Sequence, residues 1–316
     1  MNFWQLLASG FDALIAPAYG APGFRVRQKS WHPGAIPERL EGKVYAVTGA
    51  NAGIGRAIVE GLARRGAAVQ MICRSRERGE RARRELVEET GNGKVSLRLA
   101  DMADLESVRQ LGEAMAAEME QLDGLVHNAG ALFDERATTE QGLERTVALH
   151  VVGPHLLTEL LVDPLAAARS GRVVWMSSGG MYTQRLDVDL LFDPPEPFDG
   201  VVQYARAKRA QVVLAHQWDR QLGDRGICVN AMHPGWVDTG GVRSSLPIFY
   251  KMTKWFLRTP EQGADTAVWL CASPEVERCG AFYFDRESRR EHLPGASTRA
   301  PGSEREKLWH AVQKAR

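Results

Sequence analysis

The sequence has no uninterrupted apolar run that approaches the roughly 18 residues of a membrane-spanning helix. It has no excess of charge, since 40 Lys and Arg residues and 39 Asp and Glu residues leave a net charge of +1 over 316 residues. This balance argues against a nucleic acid as the main partner. The four cysteines include no C-x-x-C pair, which argues against a small disulfide scaffold and against a zinc ribbon. We therefore expect no bound metal, reduced thiols and a cytoplasmic protein.

The first 41 residues differ in composition from the rest of the chain. Residues 1–16 carry apolar side chains at helical spacing, and Gln5 and Asp12 interrupt the apolar stretch that a secretory signal needs. The pattern predicts a helix that packs on its own domain or on a partner subunit. A helix that lies on a membrane surface is the alternative, although its polar face lacks the usual Lys and Arg. Residues 17–41 are rich in Pro and Gly and predict an irregular arm.

From residue 42 onward, short apolar segments alternate with helical ones. The first two strand candidates are KVYAVTG (43–49) and AAVQMICR (67–74). Nearly continuous apolar strands that alternate with helices indicate a parallel sheet with both faces covered. We therefore predict a single α/β domain with a doubly wound, Rossmann-type parallel sheet over residues 42–285. An N-terminal arm of residues 1–41 precedes it, and a C-terminal tail of residues 286–316 with a short helix follows it.

A glycine-rich segment follows the first predicted strand and opens a helix. Its three glycines allow the backbone to turn sharply and to approach a pyrophosphate, and the helix N-terminus offers N–H groups and a partial positive charge. This context favours a dinucleotide-binding loop over a simple glycine-rich turn. The residues that we expect to bind the cofactor here are Thr48, Gly49, Asn51, Gly53, Ile54 and Gly55.

The end of the second predicted strand indicates which dinucleotide binds. A carboxylate there would accept hydrogen bonds from the ribose of NAD, but the sequence has Arg74 followed by Ser75. Arg74 can bind a 2′-phosphate with Ser75 beside it, which favours NADP(H) over NAD(H). An arginine in solvent at the start of a basic helix is the alternative. Asp101, after the third strand, either accepts from the adenine amino group or caps the next helix.

Tyr204 and Lys208 stand four residues apart, on one face of a predicted helix. A lysine cation about 4–5 Å away would lower the tyrosine pKa by roughly two to three pH units from its usual value near 10. Tyr204 would then serve as a proton donor to a carbonyl that receives a hydride. Ser178, at the end of the preceding predicted strand, is placed to hold the same carbonyl oxygen. An ordinary amphipathic pair is the alternative for Tyr204 and Lys208.

In combination, these motifs resemble the short-chain dehydrogenase/reductase family over about residues 42–285. TGANAGIG resembles the cofactor loop of the family, HNAG (127–130) its NNAG motif, and PGWVDT (234–239) the segment that contacts the nicotinamide end. The resemblance implies that Ser178, Tyr204 and Lys208 are catalytic, and that Tyr204 and Lys208 also contact the cofactor. The further cofactor contacts that it implies are Asn128, Ala129, Gly130, Pro234, Gly235, Val237 and Thr239.

The sequence departs from the family pattern at His150, where the family usually has a catalytic asparagine. The backbone carbonyl at that position usually holds a water that feeds a proton relay to the lysine. Because Pro154 has no N–H, we expect the His150 carbonyl to lack its helical partner and to remain free for such a water. The His150 side chain is then structural or a substitute shuttle with a pKa near its usual ~6.5. A degraded site is the alternative.

Residues 240–260 occupy the place where this family has its substrate lid. Their aromatic side chains favour a lipophilic carbonyl or alcohol; a helix that covers the core is the alternative. The predicted function is NADP(H)-dependent hydride transfer between the cofactor and such a substrate. A non-catalytic NADP(H)-binding protein, acting as a sensor or by binding a partner, is the alternative. The resemblance also implies a homo-oligomer, and residues 1–16 offer a peripheral membrane contact.

Overall fold

The computed structural model describes residues 18–245, 247–276, 278–292 and 298–316. The helix predicted over residues 1–16 lies outside the described residues. Within these ranges, no helix has the length and the apolar character needed to cross a membrane.

Eight strands form one sheet. They are β1 (Val44–Thr48), β2 (Ala68–Cys73), β3 (Val95–Leu99), β4 (Gly124–His127), β5 (Gly171–Met176), β6 (Ile227–Met232), β7 (Phe282–Phe284) and β8 (Glu287–Ser288). Their order is β3-β2-β1-β4-β5-β6-β7-β8, and only β7 and β8 pair antiparallel. The order reverses between β1 and β4, where sheets of this kind bind ligands at the carboxyl ends of the strands. The predicted doubly wound α/β fold is confirmed.

Helices cover both faces of the sheet. The helices of the described residues are α1 (Ala21–Gln28), α2 (Gly53–Ala63), α3 (Arg76–Thr90), α4 (Leu105–Glu118), α5 (Arg145–Val147), α6 (Gly153–Leu160), α7 (Val162–Ala167), α8 (Val188–Phe192), α9 (Gly200–Leu222), α10 (Gly240–Ser245), α11 (Pro247–Thr253), α12 (Pro260–Ala272) and α13 (Gly302–Ala315). The helices α4, α6 and α9 bury apolar side chains on one face, and α2, α3 and α12 on the other. Burial of these two clusters is the main source of stability.

The helical region before β5 is not regular. A π-helical segment, Ala148–Val152, lies between α5 and α6. The irregularity has a local cause, because Pro154 cannot donate a hydrogen bond to the carbonyl four residues earlier. π-Helical turns within α-helices are frequent at functional sites, and this one carries His150.

The arm before the sheet contains more structure than the sequence predicts. Helix α1 has Pro22 in its first turn, where the missing N–H is tolerated. Phe24 and Arg27 on this helix are buried. The prediction of an irregular arm is therefore wrong over these eight residues, because long-range packing stabilises the helix.

Cys228 on β6 and Cys279 before β7 form a disulfide, so the expectation of reduced thiols is wrong for this pair. The two residues are 51 positions apart, and the pairing of β6 with β7 brings them together. Cys73 and Cys271 are buried thiols.

Candidate active site

The turn from β1 into α2 has the shape of a pyrophosphate cradle. Gly49 and Gly53 have φ angles of +65° and +54°, a region that favours glycine. A Cβ on Gly55 would lie 2.3 Å from the Gly49 carbonyl oxygen. The N-terminus of α2 has no side-chain cap, so its N–H groups suit an anion. Across the loop, Gly53 faces the methyl group of Thr239. The predicted loop thus lies next to the predicted nicotinamide-contact segment, and the open N–H groups of the turn fit the phosphates of a dinucleotide.

Thr48 and Asn128 hold this loop in place. The Thr48 hydroxyl oxygen accepts from the backbone N–H groups of Asn128 and Ala129, each at 2.9 Å. The Asn128 side-chain amide donates to the carbonyl oxygens of Thr48 and Gly49 at 2.9 and 3.2 Å. Their side chains therefore fix the shape of the cradle, by joining the carboxyl ends of β1 and β4.

The residues predicted to select the dinucleotide lie together at the ends of β2 and β3. The Arg74 side chain is 67% exposed, and its Nη1 lies 3.5 Å from the Asp101 carboxylate. Ser75 is the N-cap of α3 and accepts from the Arg78 N–H at 3.4 Å. Asp104, and not Asp101, caps α4. Arg74 thus carries an accessible guanidinium beside the cradle.

Ser178 and Tyr204 meet at the carboxyl end of β5. Ser178 lies two residues after the end of β5, and Tyr204 lies in the second turn of α9. Burial raises the pKa of Tyr204 to about 12, and a hydrogen bond with Ser178 opposes this shift. The lowered pKa that the sequence predicts for Tyr204 is therefore wrong for this structure. A phenol with a raised pKa keeps its proton at neutral pH and is a donor.

Lys208 is buried one turn after Tyr204. Its Nζ donates to the carbonyl oxygen of Met176 at 2.7 Å and to Oε1 of Gln211 at 3.1 Å. Nζ also lies 5.4 Å from the centroid of the Tyr204 ring. Burial lowers the pKa of Lys208 to about 7. The side chain is therefore held by neutral acceptors below the sheet edge rather than by a carboxylate.

His150 does not have the surroundings of a proton shuttle. Its Nε2 lies 2.9 Å from the carbonyl oxygen of Ala131, and its ring stands perpendicular to the Tyr204 ring at 5.3 Å. Burial and the nearby charge of Lys208 hold the His150 pKa well below its usual range. Its carbonyl oxygen accepts from Nε2 of Gln211 at 2.8 Å, so the expectation of a free carbonyl is wrong.

The segment PGWVDT is joined to Arg258 by backbone hydrogen bonds. Gly235 has a φ angle of +81°. The Arg258 N–H donates to the Trp236 carbonyl oxygen at 2.7 Å, and the Asp238 N–H donates to the Arg258 carbonyl oxygen at 2.9 Å. The hydroxyl oxygen of Thr239 accepts from a backbone N–H at the start of α10. Residues between Thr239 and Arg258 therefore form an excursion whose two ends are hydrogen-bonded together.

This excursion holds α10 and α11 and leaves large apolar side chains in solvent. Phe249 packs edge-on against Trp236, with ring centroids 5.0 Å apart. The exposed fractions of the other side chains are 77% for Ile248, 75% for Met252, 82% for Trp255 and 45% for Phe256. The alternative of a helix that covers the core therefore does not describe α11.

The arm contributes a residue that the sequence analysis missed. Tyr19 stacks on His233 and on Phe284, with ring centroids 5.0 and 5.1 Å apart, and its carbonyl oxygen accepts from the Trp236 N–H at 2.9 Å. Its ring also lies 3.4 Å from the place that a Cβ on Gly179 would take. Tyr19 thus reaches the residue next to Ser178. No local pattern marks it, because the contact depends on how the arm folds back.

A cradle for a dinucleotide, with a serine, a tyrosine and a lysine at the adjoining sheet edge, defines the class of a dinucleotide-dependent oxidoreductase. Comparison with known proteins agrees with this class. The family model described as short chain dehydrogenase matches residues 43–189. Dehydrogenase/reductase SDR family member 12 from Bos taurus is 38% identical over 297 residues, which cover 93% of each chain. This protein belongs to the short-chain dehydrogenase/reductase family of oxidoreductases.

Two further relatives extend the comparison. Human retinol dehydrogenase 14 is 34% identical over 295 residues, 87% of each chain. A Beutenbergia cavernae structure, described as an NAD(P)-dependent gluconate 5-dehydrogenase with bound NADP, is 28% identical with a TM-score of 0.63. The match covers 78% of this chain and 96% of that chain.

Proposed function

We propose that this protein transfers a hydride between NADP(H) and a lipophilic carbonyl or alcohol substrate. The observation that carries the proposal is the convergence of Ser178, Tyr204 and Lys208 beside the glycine cradle. The names of the relatives support it, since one is a retinol dehydrogenase and the Beutenbergia structure holds NADP.

The side chains divide the work of such a reaction. The nicotinamide of the bound cofactor supplies or takes up the hydride. The hydroxyl groups of Ser178 and Tyr204 hold the carbonyl oxygen, which stabilises the charge that develops there. Tyr204 donates its proton to that oxygen in reduction and takes it back in oxidation. In its protonated form, Lys208 would place a cation next to Tyr204 and would hold the nicotinamide ribose. The raised pKa of Tyr204 keeps its hydroxyl protonated at neutral pH, as a proton donor requires.

The preference for NADP(H) rests on Arg74. The side chain is largely exposed, and its contact with Asp101 is 3.5 Å long, so little energy is lost when the guanidinium turns to a phosphate. A 2′-phosphate offers two oxygens to a guanidinium fork. Ser75, which caps α3 as an acceptor, retains its O–H as a donor to the same group.

The lipophilic character of the substrate rests on the lid. Ile248, Met252 and Trp255 stand in solvent on and just after α11, and Lys254 lies over the Trp255 ring at 5.0 Å. Exposed apolar residues of this size mark an interaction site. They suit an apolar substrate or the lipid surface that delivers one, with the lysine at the headgroups.

NADPH consumption by the purified protein tests the proposal. The substrates are a panel of lipophilic ketones and aldehydes, including retinoid-like and steroid-like carbonyls. We expect Tyr204→Phe to reduce turnover by roughly 10²- to 10⁴-fold while NADPH still binds. Tyr182→Phe is the matched control, because the Tyr182 hydroxyl donates to the Arg290 carbonyl and not to the site.

The outcomes separate the two candidate functions. Turnover that survives in Tyr204→Phe contradicts the assigned chemistry. Tight NADPH binding without turnover of any substrate favours the alternative, in which the protein senses the cofactor or binds a partner without catalysis.

A further inference from the structure

Gln211 links two parts of the active site that sequence reasoning treats separately. It lies three residues after Lys208 on α9 and is fully buried. Its Nε2 donates to the carbonyl oxygen of His150 at 2.8 Å. Its Oε1 accepts from Nζ of Lys208 at 3.1 Å. One amide therefore joins the π-helical segment to the lysine.

The backbone explains why a polar group is needed at this place. Because Pro154 has no N–H, the helix cannot satisfy the His150 carbonyl in the usual way. A buried carbonyl without a donor is costly, as is a buried ammonium without acceptors. A glutamine side chain carries a donor and an acceptor together, so one residue satisfies both groups. Without it, a buried water would have to do so.

We propose that Gln211 is a positioning residue of the active site, which takes the place of a bridging water and sets the orientation and the charge state of Lys208. This inference rests on the proposed function, in which Lys208 acts beside Tyr204 and binds the ribose.

The hydrogen bonds of Lys208 explain how Gln211 acts on it. An ammonium has three N–H groups. Met176 and Gln211 take two of them, and the described residues supply no further acceptor, which leaves the third for a ligand. Hydrogen-bond acceptors that bond to the charged form of a lysine raise its pKa, whereas burial lowers it. Gln211 therefore keeps Lys208 protonated at a higher pH than burial alone would allow.

Two titratable groups face Lys208 in this structure. Tyr204 lies on the same helix, 5.4 Å from Nζ to its ring centroid, and its pKa is raised to about 12. His150 comes from the π-helical segment, and its pKa lies well below its usual range. Both groups stay neutral near pH 7, so a titration step there belongs to Lys208, whose pKa burial lowers to about 7.

Nuclear magnetic resonance of the full chain with ¹³C-labelled lysine side chains measures this titration directly, and Lys208→Met assigns the signal. Gln211→Met keeps the shape but removes the acceptor, so we expect the midpoint to fall by about one pH unit or more. Gln211→Glu adds a negative charge, so the midpoint rises. Gln211→Ala leaves room for a water, so the midpoint lies between those of the reference protein and Gln211→Met.

The controls separate this inference from the proposed function. Gln217→Met removes an amide farther along α9, which donates to the Arg305 carbonyl, and leaves the Lys208 midpoint unchanged. The same midpoint in Gln211→Met, Gln211→Glu and the reference protein overturns the inference, because a merely structural glutamine does not shift it in opposite directions. NADPH affinity, followed by fluorescence in the same proteins, tests the proposed function. If Lys208→Met binds NADPH as tightly as the reference protein at a pH where Lys208 is charged, the ribose role of Lys208 fails, whatever the midpoints show.

Discussion

Arg258 and Asp285 form a bidentate ion pair in the interior of the protein. Arg258 donates through Nη1 and Nη2 to the two carboxylate oxygens of Asp285 at 2.5 and 2.8 Å, and each side chain is 1% exposed. Arg27 of α1 donates to the same carboxylate at 2.7 Å. One acidic residue therefore joins the arm, the end of the segment between Thr239 and Arg258, and the chain after β7.

We expect Asp285→Asn to lower the free energy of unfolding by about 3–5 kcal/mol, because two buried guanidinium groups lose their common counterion. Urea unfolding of the purified variant measures the change. The matched control is Asp163→Asn, which breaks an exposed pair with Arg225 and costs less than about 1 kcal/mol. Equal losses in the two variants would contradict a special role for the buried pair.

The parallel part of the sheet could be predicted because its strands are short apolar segments that end near glycine or polar residues, whereas the polar strand β8 carries no such signal. Each such signal is local in the sequence. The Arg27–Asp285 pair joins residues 258 positions apart, and the Cys228–Cys279 disulfide depends on the pairing of β6 with β7. No local pattern encodes either contact, since both follow from the tertiary fold.

In the active site too, the sequence could predict some features and not others. Tyr204 and Lys208 could be singled out from their spacing, and Ser178 from its place at the end of a predicted strand and from the family resemblance. The structure brings all three to the carboxyl end of β5. Their electrostatics could not be predicted, because burial decides the pKa of Tyr204 and no spacing rule measures burial. Gln211 was missed although it follows Lys208 on the same helix face. Its role depends on the His150 carbonyl, which a sequence pattern does not reveal.

Gly55→Ala should prevent the cofactor from binding. The added Cβ would lie 2.3 Å from the Gly49 carbonyl oxygen and 2.4 Å from Nδ2 of Asn128, so the cradle must change shape. NADPH fluorescence measures the loss of affinity, and circular dichroism checks the fold. Gly93→Ala is the control, because a Cβ there meets no atom within 4 Å. Unchanged NADPH affinity in Gly55→Ala would show that the loop is not the cradle.

Arg74→Ala should weaken NADPH binding by roughly 10- to 100-fold and leave NADH binding unchanged, because only NADPH carries the phosphate that the guanidinium would bind. Dissociation constants for both cofactors measure the change. Arg81→Ala removes an exposed arginine farther along α3 and should change neither constant. An equal loss for NADH and NADPH would contradict the proposed role of Arg74.

His150→Asn should not raise turnover. The carbonyl at this position belongs to the backbone and remains bonded to Gln211, so the substitution does not create a free acceptor. It removes the contact of the imidazole with Ala131 and the packing against Tyr204. Steady-state kinetics with the best substrate of the panel measure kcat and KM. A large gain in kcat would mean that the natural residue impairs a relay, against the geometry seen here.

Four buried histidines should make the protein sensitive to mild acid. Burial lowers the pKa of His127 and of His155 to about 3, and it holds the pKa values of His150 and His233 well below their usual range. In the unfolded chain these histidines bind protons near pH 6.5, whereas in the folded protein they do not. Above about pH 6.5, the buried histidines therefore do not reduce the free energy of unfolding. Below that pH, the free energy of unfolding falls by roughly 1.4 kcal/mol per histidine and pH unit.

Urea unfolding between about pH 7.5 and 5.5 measures this slope. His155→Phe should reduce it, because the ring lies among the indoles of Trp218 and Trp309 and a phenyl group there does not bind a proton. His310→Gln changes an exposed histidine and should leave the slope as it is. If the free energy of unfolding were constant down to about pH 5.5, these histidines would already be protonated in the folded protein, and burial could not hold their pKa values low.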